Sequence, residues 1–310
     1  MATTYQHIAA NTRKTWGLVL LFPLVFAVLT TVIFGGVLYF GAQDQEMNVQ
    51  AIGAISLMIA GICWVLASLW MAVSYFFGDK WLLSGAGAIK VSEQDFPEIY
   101  RLVENLCISR GLPVPRVFLI KDESLNAFAT GRDPKHASVV LTTGIVAKLE
   151  RAELEGVIAH ELSHVENRDI RLMLICVAGI AFFAFAGEVM LRSASRSKKG
   201  GGPVLVLGLI FLLYGYLFAP LIRLALSRQR EYQADASAAL MTRNPTALAS
   251  ALRKISQDSR VEVLDKQASM AAMCIANPLA KGKEWMSNLM ATHPPIDKRI
   301  AALEEMDRGF

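Results

Sequence analysis

Residues 156–164 read GVIAHELSH, a short apolar segment followed by two histidines four positions apart. Positions i and i+4 share one face of an α-helix, so the rings of His160 and His164 can bind one metal ion. Two histidines and Glu161 are costly on a buried helix unless something pairs with them. The segment therefore predicts a helix over residues 151–168 that carries a metal site.

The spacing suits zinc, which accepts neutral histidine nitrogens and, in catalytic sites, has three protein ligands and one open position for water. Zinc lowers the pKa of that water towards about 7, so Glu161 can take its proton. The hydroxide would attack a peptide carbonyl, and Glu161 would pass the proton to the leaving nitrogen. The same motif also arises by chance on amphipathic helices, so alone it leaves a non-catalytic helix open.

A third protein ligand must come from elsewhere in the chain. Asn167 and Ile170 stand where the extended motif of one zinc-protease subtype has glycine and histidine, which excludes that subtype. Glu166 is too close along the same helix to turn back onto the ion. Glu188 falls late in an apolar run, far from the level of the metal. Neither carboxylate is therefore expected to bind it.

Glu231 and Asp235 are the remaining carboxylate candidates. They lie four residues apart on a predicted helix, antiparallel to the first, whose small residues would allow close approach. Glu231 as ligand and Asp235 as the hydrogen-bond partner of a ligand histidine fit the usual surroundings of a metal. A solvated pair of acids on a helix surface is the alternative.

The composition indicates a membrane protein. Hydrophobic residues make up 54% of the chain, only 19% are charged, and the mean hydropathy is +0.39, whereas soluble domains carry about 25% charge. Long apolar runs predict membrane helices at residues 15–42 and 49–78, and membrane or re-entrant helices at 171–192 and 200–222. A cytosolic N-terminus (1–14) and a cytosolic catalytic domain in two parts (79–170 and 223–310) account for the rest.

Loop charges predict the orientation. Arg13 and Lys14 precede the first run, whereas the next loop carries Asp44 and Glu46, so the positive-inside rule puts the N-terminus and residue 79 in the cytoplasm. The loop between the third and fourth runs conflicts with a full crossing because it holds four basic residues: Arg192, Arg196, Lys198 and Lys199. A spanning pair is favoured, and a partly inserted hairpin is the alternative.

The other features exclude several classes of protein. The net charge is +4 without a long basic block, so no nucleic-acid partner is expected. The four cysteines, at positions 63, 107, 176 and 274, are too scattered for a disulfide framework or a cysteine zinc cluster. β-branched runs at 117–120 and 138–142 predict short strands. We therefore expect a mainly α membrane protein with four hydrophobic helices and an α+β catalytic domain that has a small sheet.

Three separated segments resemble the HtpX family of bacterial membrane zinc proteases, which are related to the prenyl-protein (CAAX) endoproteases. They are HELSHVENRD (160–169), SRQREYQAD (227–235) and THPPIDKRI (292–300), and the likeness runs through the whole chain. It implies a gluzincin-type catalytic fold with one zinc ion on His160, His164 and Glu231, and Glu161 as the catalytic residue.

The resemblance also implies a multi-pass protein of the bacterial inner membrane whose site faces the cytoplasm. Its partners would be the lipid bilayer and membrane-protein or unfolded polypeptide substrates. Cleavage would serve the quality control of misfolded or damaged membrane proteins under stress. The sequence predicts no oligomeric state.

Two further segments gain a role from this resemblance. Residues 125–129, LNAFA, resemble the edge strand on which zincins bind substrate as an added strand, so Asn126 and Ala127 are expected to contact substrate; an ordinary edge strand is the alternative. His293 is a candidate donor to the oxyanion, or else a helix cap. Arg299 is a weaker candidate of the same kind.

Two alternative functions are compatible with the motif. An intramembrane protease would place the motif in lipid, but charges flank it on both sides, and these are costly there: Arg151, Glu153, Glu155, Glu166, Arg168 and Asp169. A non-catalytic membrane scaffold would keep zinc in a closed site of four protein ligands and would not need Glu161.

Overall fold

The structure is a computed structural model that describes residues 4–41, 48–196, 202–225, 228–258, 274–275 and 294–308. Most of these residues are helical. The helices are α1 (Thr4–Gly41), α2 (Val49–Gly85), α3 (Pro97–Arg110), α4 (Thr143–Lys148), α5 (Arg151–Glu166), α6 (Asp169–Arg196), α7 (Gly202–Ala225), α8 (Arg228–Thr242), α9 (Pro245–Gln257) and α10 (Ile296–Asp307). The mainly α fold expected from the sequence is confirmed.

A small mixed sheet supports the helix that carries the histidines. Its strands are β1 (Ile89–Lys90), β2 (Arg116–Ile120), β3 (Ala127–Thr130) and β4 (Ser138–Thr142), in the order β1-β2-β4-β3. β2 and β4 are parallel, and the other pairs are antiparallel. All of β4 is buried, as expected for a strand covered on both faces. Among the described strands, β3 lies at an edge.

Helix α5 lies in the main core, which also contains side chains of α3, β2, β4, α8 and α9. At its start, the Glu153 carboxylate accepts a hydrogen bond from the backbone N–H of Glu150 (2.8 Å), which satisfies a free donor. The helix ends at Glu166, two residues before the predicted end. Arg168 then takes a left-handed conformation (φ 59°) and turns the chain into α6.

The apolar runs lie in long helices. Three helical segments have the length and composition to cross a membrane: Ile8–Gly36 in α1, Val49–Gly85 in α2 and Asp169–Arg196 in α6. The described apolar stretch of α7, Val204–Gly215, is shorter. Large apolar side chains of α1 and α2, such as Leu20 (72% exposed) and Leu57 (66%), face outwards. The count of four membrane helices therefore stays a prediction.

Helices α1 and α6 run parallel, side by side. Asn11 contacts Asp169 at their beginnings, and further along a Cβ on Gly179 would lie 3.2 Å from the Phe22 ring. Phe26 then stacks edge-on against Phe182, with ring centres 5.2 Å apart. Asn11, two turns into α1, thus lies beside the start of α6 and next to the end of α5.

Candidate metal centre

The two histidine rings of α5 converge on one point. The Nε2 atoms of His160 and His164 lie 3.2 Å apart, and the rings are nearly perpendicular, at 86°. His160 is fully buried. Two ring nitrogens this close, both pointing to the same place, are what a shared metal ion would produce.

Glu231 completes the cluster from α8. Its Oε1 lies 3.6 Å from Nε2 of His164 and its Oε2 lies 3.8 Å from Nε2 of His160. Two ligand atoms at zinc–ligand distances of about 2.0–2.2 Å in a tetrahedral site are separated by roughly 3.3–3.6 Å. The three residues therefore fit such an ion, and among the described residues they form a group that could hold one.

Small side chains allow α8 to approach α5 this closely. Ala234, Ala238 and Ala239 are all at most 1% exposed, and the last two belong to the core shared with α5. The predicted close approach of an alanine-rich helix is therefore observed.

Each histidine also contacts a carboxylate through its other nitrogen. Nδ1 of His160 lies 2.9 Å from Asp235, and Nδ1 of His164 lies 3.0 Å from Asp169. A carboxylate only accepts hydrogen bonds, so each ring has a proton on Nδ1, and the Nε2 that points towards Glu231 is the nitrogen left to bind a metal. This is the usual arrangement of histidines that bind a metal.

Arg299 lies behind Asp235. Its Nε and Nη2 donate to the two carboxylate oxygens at 2.8 and 2.7 Å, and its Nη1 donates to the carbonyl of Ile275 at 3.1 Å. The guanidinium is fully buried and 3.7 Å from Glu231. In the described contacts Arg299 therefore positions Asp235 and does not point to an open position beside the metal.

Asp169 connects four helices. It stands at the start of α6, and its Oδ2 contacts His164 of α5. Its Oδ1 accepts from Asn11 of α1 at 2.7 Å and from Arg230 of α8 at 2.8 Å. With 4% exposure, Asp169 is a buried carboxylate with both oxygens engaged.

The charges of the cluster shift the pKa values of its members. Burial alone would lower the pKa of His164, but the hydrogen bond to Asp169 and the charge of Glu231 raise it to about 9. Burial would raise the pKa of Asp235, yet Arg299 holds it below the usual range. The cluster therefore favours a positive charge at His164 as long as no metal ion is bound.

Glu161 is 2% exposed and shares the electrostatic environment of His160 and His164. Burial raises its pKa, and the positive charges of the two histidines oppose that rise. A carboxylate with a raised pKa is a better proton acceptor near neutral pH than an ordinary glutamate.

The carboxylates set aside in the sequence are engaged elsewhere. Glu166 forms an ion pair with Arg110 at 2.7 Å, and Glu188 pairs with Arg192 within α6. Neither belongs to the cluster of His160.

The predicted substrate-contacting residues lie at the start of β3, which packs against α5. Asn126 is buried before β3, where its carbonyl accepts from Thr142 N–H at 3.1 Å. The carbonyl of Ala127 faces the open side of β3 and accepts from the N–H of Ile275 at 2.9 Å. His293 lies outside the described residues, so its predicted role stays a prediction.

Sequence reasoning missed Asp169, Arg230 and Asn11. Asp169 follows His164 by five residues, and only the break of α5 after Glu166 brings it back to the ring. The signal that could have identified Asp169 is an acidic residue just after the end of the helix that carries the histidines. Asn11 had no signal, because its contact bridges 158 positions of sequence.

The chain is similar to known proteins over most of its length. The family model described as Peptidase family M48 matches residues 93–307. A protein from Bacteroides fragilis named Protease HtpX homolog is 40% identical over 315 residues, which cover 95% of this chain and 96% of that protein. Another of that name, from Ligilactobacillus salivarius, is 39% identical and covers 97% of this chain and 99% of its own length. The likeness therefore includes the hydrophobic helices.

A third protein of that name, from Tropheryma whipplei, is 42% identical over 79% of this chain and 85% of its own length. Among solved structures, the crystal structure of S. mikatae Ste24p aligns with 94% of this chain and 66% of that one, at 20% identity and a TM-score of 0.45.

Proposed function

This chain belongs to peptidase family M48 and is a membrane metalloendopeptidase, and from that premise we propose its metal, site and orientation. The proposed metal is one zinc ion held by His160, His164 and Glu231. The enzyme cleaves polypeptides at the cytoplasmic face of the bacterial inner membrane.

The convergence of the three ligand atoms carries this proposal, and the buried charge supports it. Glu161, Glu231 and Asp235 are buried carboxylates. The buried guanidinium of Arg299 balances one of them. With neutral histidines, as metal ligands require, two negative charges remain, and a divalent cation would neutralise them. That cation would take the place of the second proton that His164 favours without a metal.

When bound, zinc supplies a water of lowered pKa and polarises the carbonyl of the scissile bond. Glu161 would take a proton from that water and give it to the leaving nitrogen. Asp235 and Asp169 keep Nε2 of each histidine turned towards the metal, and Arg299 keeps Asp235 in place. All of these groups lie on helices in contact with the core, which favours a fixed geometry.

The substrate is proposed to add a strand to β3, with Asn126 and Ala127 as contacts and His293 as a donor to the oxyanion. Two groups on the outer side of this edge now pair with the chain itself. Leu125 N–H donates to the Asp258 carbonyl at 2.7 Å, and the Ala127 carbonyl accepts from Ile275. A substrate N–H would take the place of Ile275 at the Ala127 carbonyl.

The substrates proposed are misfolded or damaged membrane proteins and unfolded chains. The site supports this choice because Asp169, in contact with His164, begins the helix α6 that has the length and composition to cross a membrane. A polypeptide leaving the bilayer would reach it directly. The cellular role that follows is quality control under stress.

We also propose that α6 and α7 cross the membrane. The parallel contacts of α1 with α6 keep the two at equal depth as far as Phe26 and Phe182, so α6 enters as deeply as α1 does. In a variant without the four native cysteines, Ser195→Cys would be labelled by an impermeant thiol reagent from the periplasm. Labelling only from the cytoplasm would contradict the crossing.

The function is tested by measuring zinc content and casein cleavage together. His160→Ala and Glu231→Ala should lose both. Glu161→Gln should keep zinc and lose cleavage by about 10²–10⁴-fold, the usual contribution of a general base. Zinc retained by Glu231→Ala would refute Glu231 as a ligand, and cleavage retained by Glu161→Gln would refute Glu161 as the base. A wild-type protein that binds zinc but cleaves no casein would favour the zinc-stabilised scaffold.

A further inference from the structure

We propose that Asn11, on the first membrane helix, is a positioning residue for the metal ligand His164 and acts through Asp169. This inference rests on the proposed metal site. It makes the membrane part of the protein a contributor to the geometry of the metal, beyond its role as an anchor.

Asn11 uses both hydrogens of its amide on this one junction. Nδ2 donates to the carboxylate of Asp169 at 2.7 Å and to the backbone carbonyl of Asn167 at 2.8 Å. Both partners only accept hydrogen bonds, so the orientation of the amide is determined by them. The residue is 2% exposed.

The two acceptors belong to the segment that connects the metal-binding helix to α6. The carbonyl of Asn167 is at the end of α5, where helical carbonyls lack a partner within the helix. Asp169 is two residues further on, beyond the left-handed Arg168. Asn11 therefore holds this turn at two points, on either side of its most strained residue.

The hydrogen bonds of Asp169 explain how Asn11 affects the metal ligand His164. Oδ1 accepts from Asn11 and from Arg230, which leaves Oδ2 facing Nδ1 of His164. If the bond from Asn11 is lost, the carboxylate keeps only one donor on Oδ1 and can rotate. The ring of His164 then loses its fixed orientation towards Glu231.

The chemistry of asparagine suits this position. A buried carboxylate with one guanidinium partner is already neutralised, so a second cation beside it would oppose the binding of a metal cation nearby. A neutral amide completes the hydrogen bonding without adding charge. Asn11 thus restricts Asp169 without changing the net charge of the centre.

The test measures zinc affinity in the full-length protein in lipid nanodiscs, by competition with a chromophoric chelator. Asn11→Leu keeps the approximate shape and removes both donors. It should raise the zinc dissociation constant about three- to tenfold, less than the 10–100-fold typical of losing a direct partner of a ligand histidine. Asn11→Ser, which is too short to reach both acceptors, should act in the same direction.

Thr12→Val is the matched control, because Thr12 is the next residue and donates only to the carbonyl of Ile8 in its own helix in the described contacts. It should leave the dissociation constant within about twofold, the scatter of independent sites. In an Asp169→Asn background, Asn11→Leu should add less than about twofold, because the residue acts through Asp169.

Zinc binding by the wild-type protein tests the proposed function, whereas the ratios between variants test Asn11. Equal dissociation constants for wild type and both Asn11 variants would overturn the inference. So would an undiminished effect of Asn11→Leu in the Asp169→Asn background, since that would mean a general effect on folding. The difference in melting temperature between zinc-loaded and zinc-free protein should shrink in Asn11→Leu and stay unchanged in Thr12→Val.

Discussion

Asp169 lies 3.0 Å from Nδ1 of His164, although a helix end and a left-handed turn separate the two residues along the chain. The arrangement is repeated at His160, whose Nδ1 meets Asp235 of α8 at 2.9 Å. One carboxylate comes from the start of a hydrophobic helix and the other from the helix that bears Glu231. Each metal-binding ring is thus oriented by a different element of the fold.

Asp169→Asn should weaken zinc binding by roughly 10–100-fold while the chain remains folded. The amide keeps the size of the side chain but no longer offers two charged acceptors to His164 and Arg230. The measurement is zinc competition with a chelator, alongside casein cleavage at saturating zinc. Asp95→Asn is the control, because Asp95 is exposed and bonds to Ser92 on the protein surface. A dissociation constant equal to that of Asp95→Asn would contradict the assigned role.

The sequence allowed much of the site to be predicted because its signals are local. The helical repeat predicts that His160 and His164 share one face, and long apolar runs can be recognised as hydrophobic helices without knowledge of the fold. Glu231 and Asp235 were reachable through the four-residue spacing on a second helix. Spacing alone could not distinguish a metal ligand and its partner from two solvated surface acids, because that choice depends on how α8 packs against α5.

The remaining contacts depend on the fold. Asn11 and Asp169 meet only because α1 and α6 run parallel, with the start of α6 beside the second turn of α1. Arg299 was a weak candidate for an oxyanion donor because it is near His293 in the sequence. In the structure it donates to both carboxylate oxygens of Asp235. Such contacts carry no periodicity, since each joins residues far apart in sequence.

Arg299→Met should destabilise the protein by about 3–5 kcal/mol, because it leaves the buried carboxylate of Asp235 without its cation. Arg299→Lys should fall between this variant and wild type, since lysine keeps the charge but cannot form the paired hydrogen bonds. Urea unfolding in detergent provides the measurement. Arg253→Met is the control, because Arg253 forms an exposed pair with Glu304, and its loss should cost at most about 1 kcal/mol. An equal loss of unfolding free energy in the two methionine variants would show that the buried Arg299–Asp235 pair stabilises the protein no more than an exposed pair does.

Gly187→Val should loosen the packing of α6 against α7. A Cβ at Gly187 would lie 2.9 Å from the Leu212 side chain and 3.0 Å from the carbonyl of Gly208, and the backbone cannot yield as a side chain does. Overpacking of this kind costs about 1–3 kcal/mol. Thermal unfolding in detergent should show a lower midpoint for this variant than for Gly61→Val on α2, where a Cβ meets nothing within 4 Å. Equal midpoints would mean that the hairpin is not closely packed there.

Glu153→Gln should reduce stability in a pH-dependent way. The Glu153 carboxylate accepts from Ser250 at 2.6 Å and from Lys254 at 2.7 Å. Burial would raise its pKa, but these hydrogen bonds and the lysine charge hold the pKa below the usual range. Losing charged hydrogen bonds of this kind costs about 1.5–3 kcal/mol at neutral pH.

The sign of the pH dependence follows from the lowered pKa of Glu153 in the folded state. Its contribution is fully present above the unfolded glutamate pKa of about 4.3, and it is lost as the pH falls through the lower folded value. The gap in unfolding free energy between wild type and Glu153→Gln should therefore be constant from pH 7 to about pH 5 and narrow below about pH 4. Urea unfolding across this range measures the gap, with exposed Glu104→Gln as the control. A gap that stays constant down to pH 3 would show that the ionised form of Glu153 is not what stabilises the start of α5.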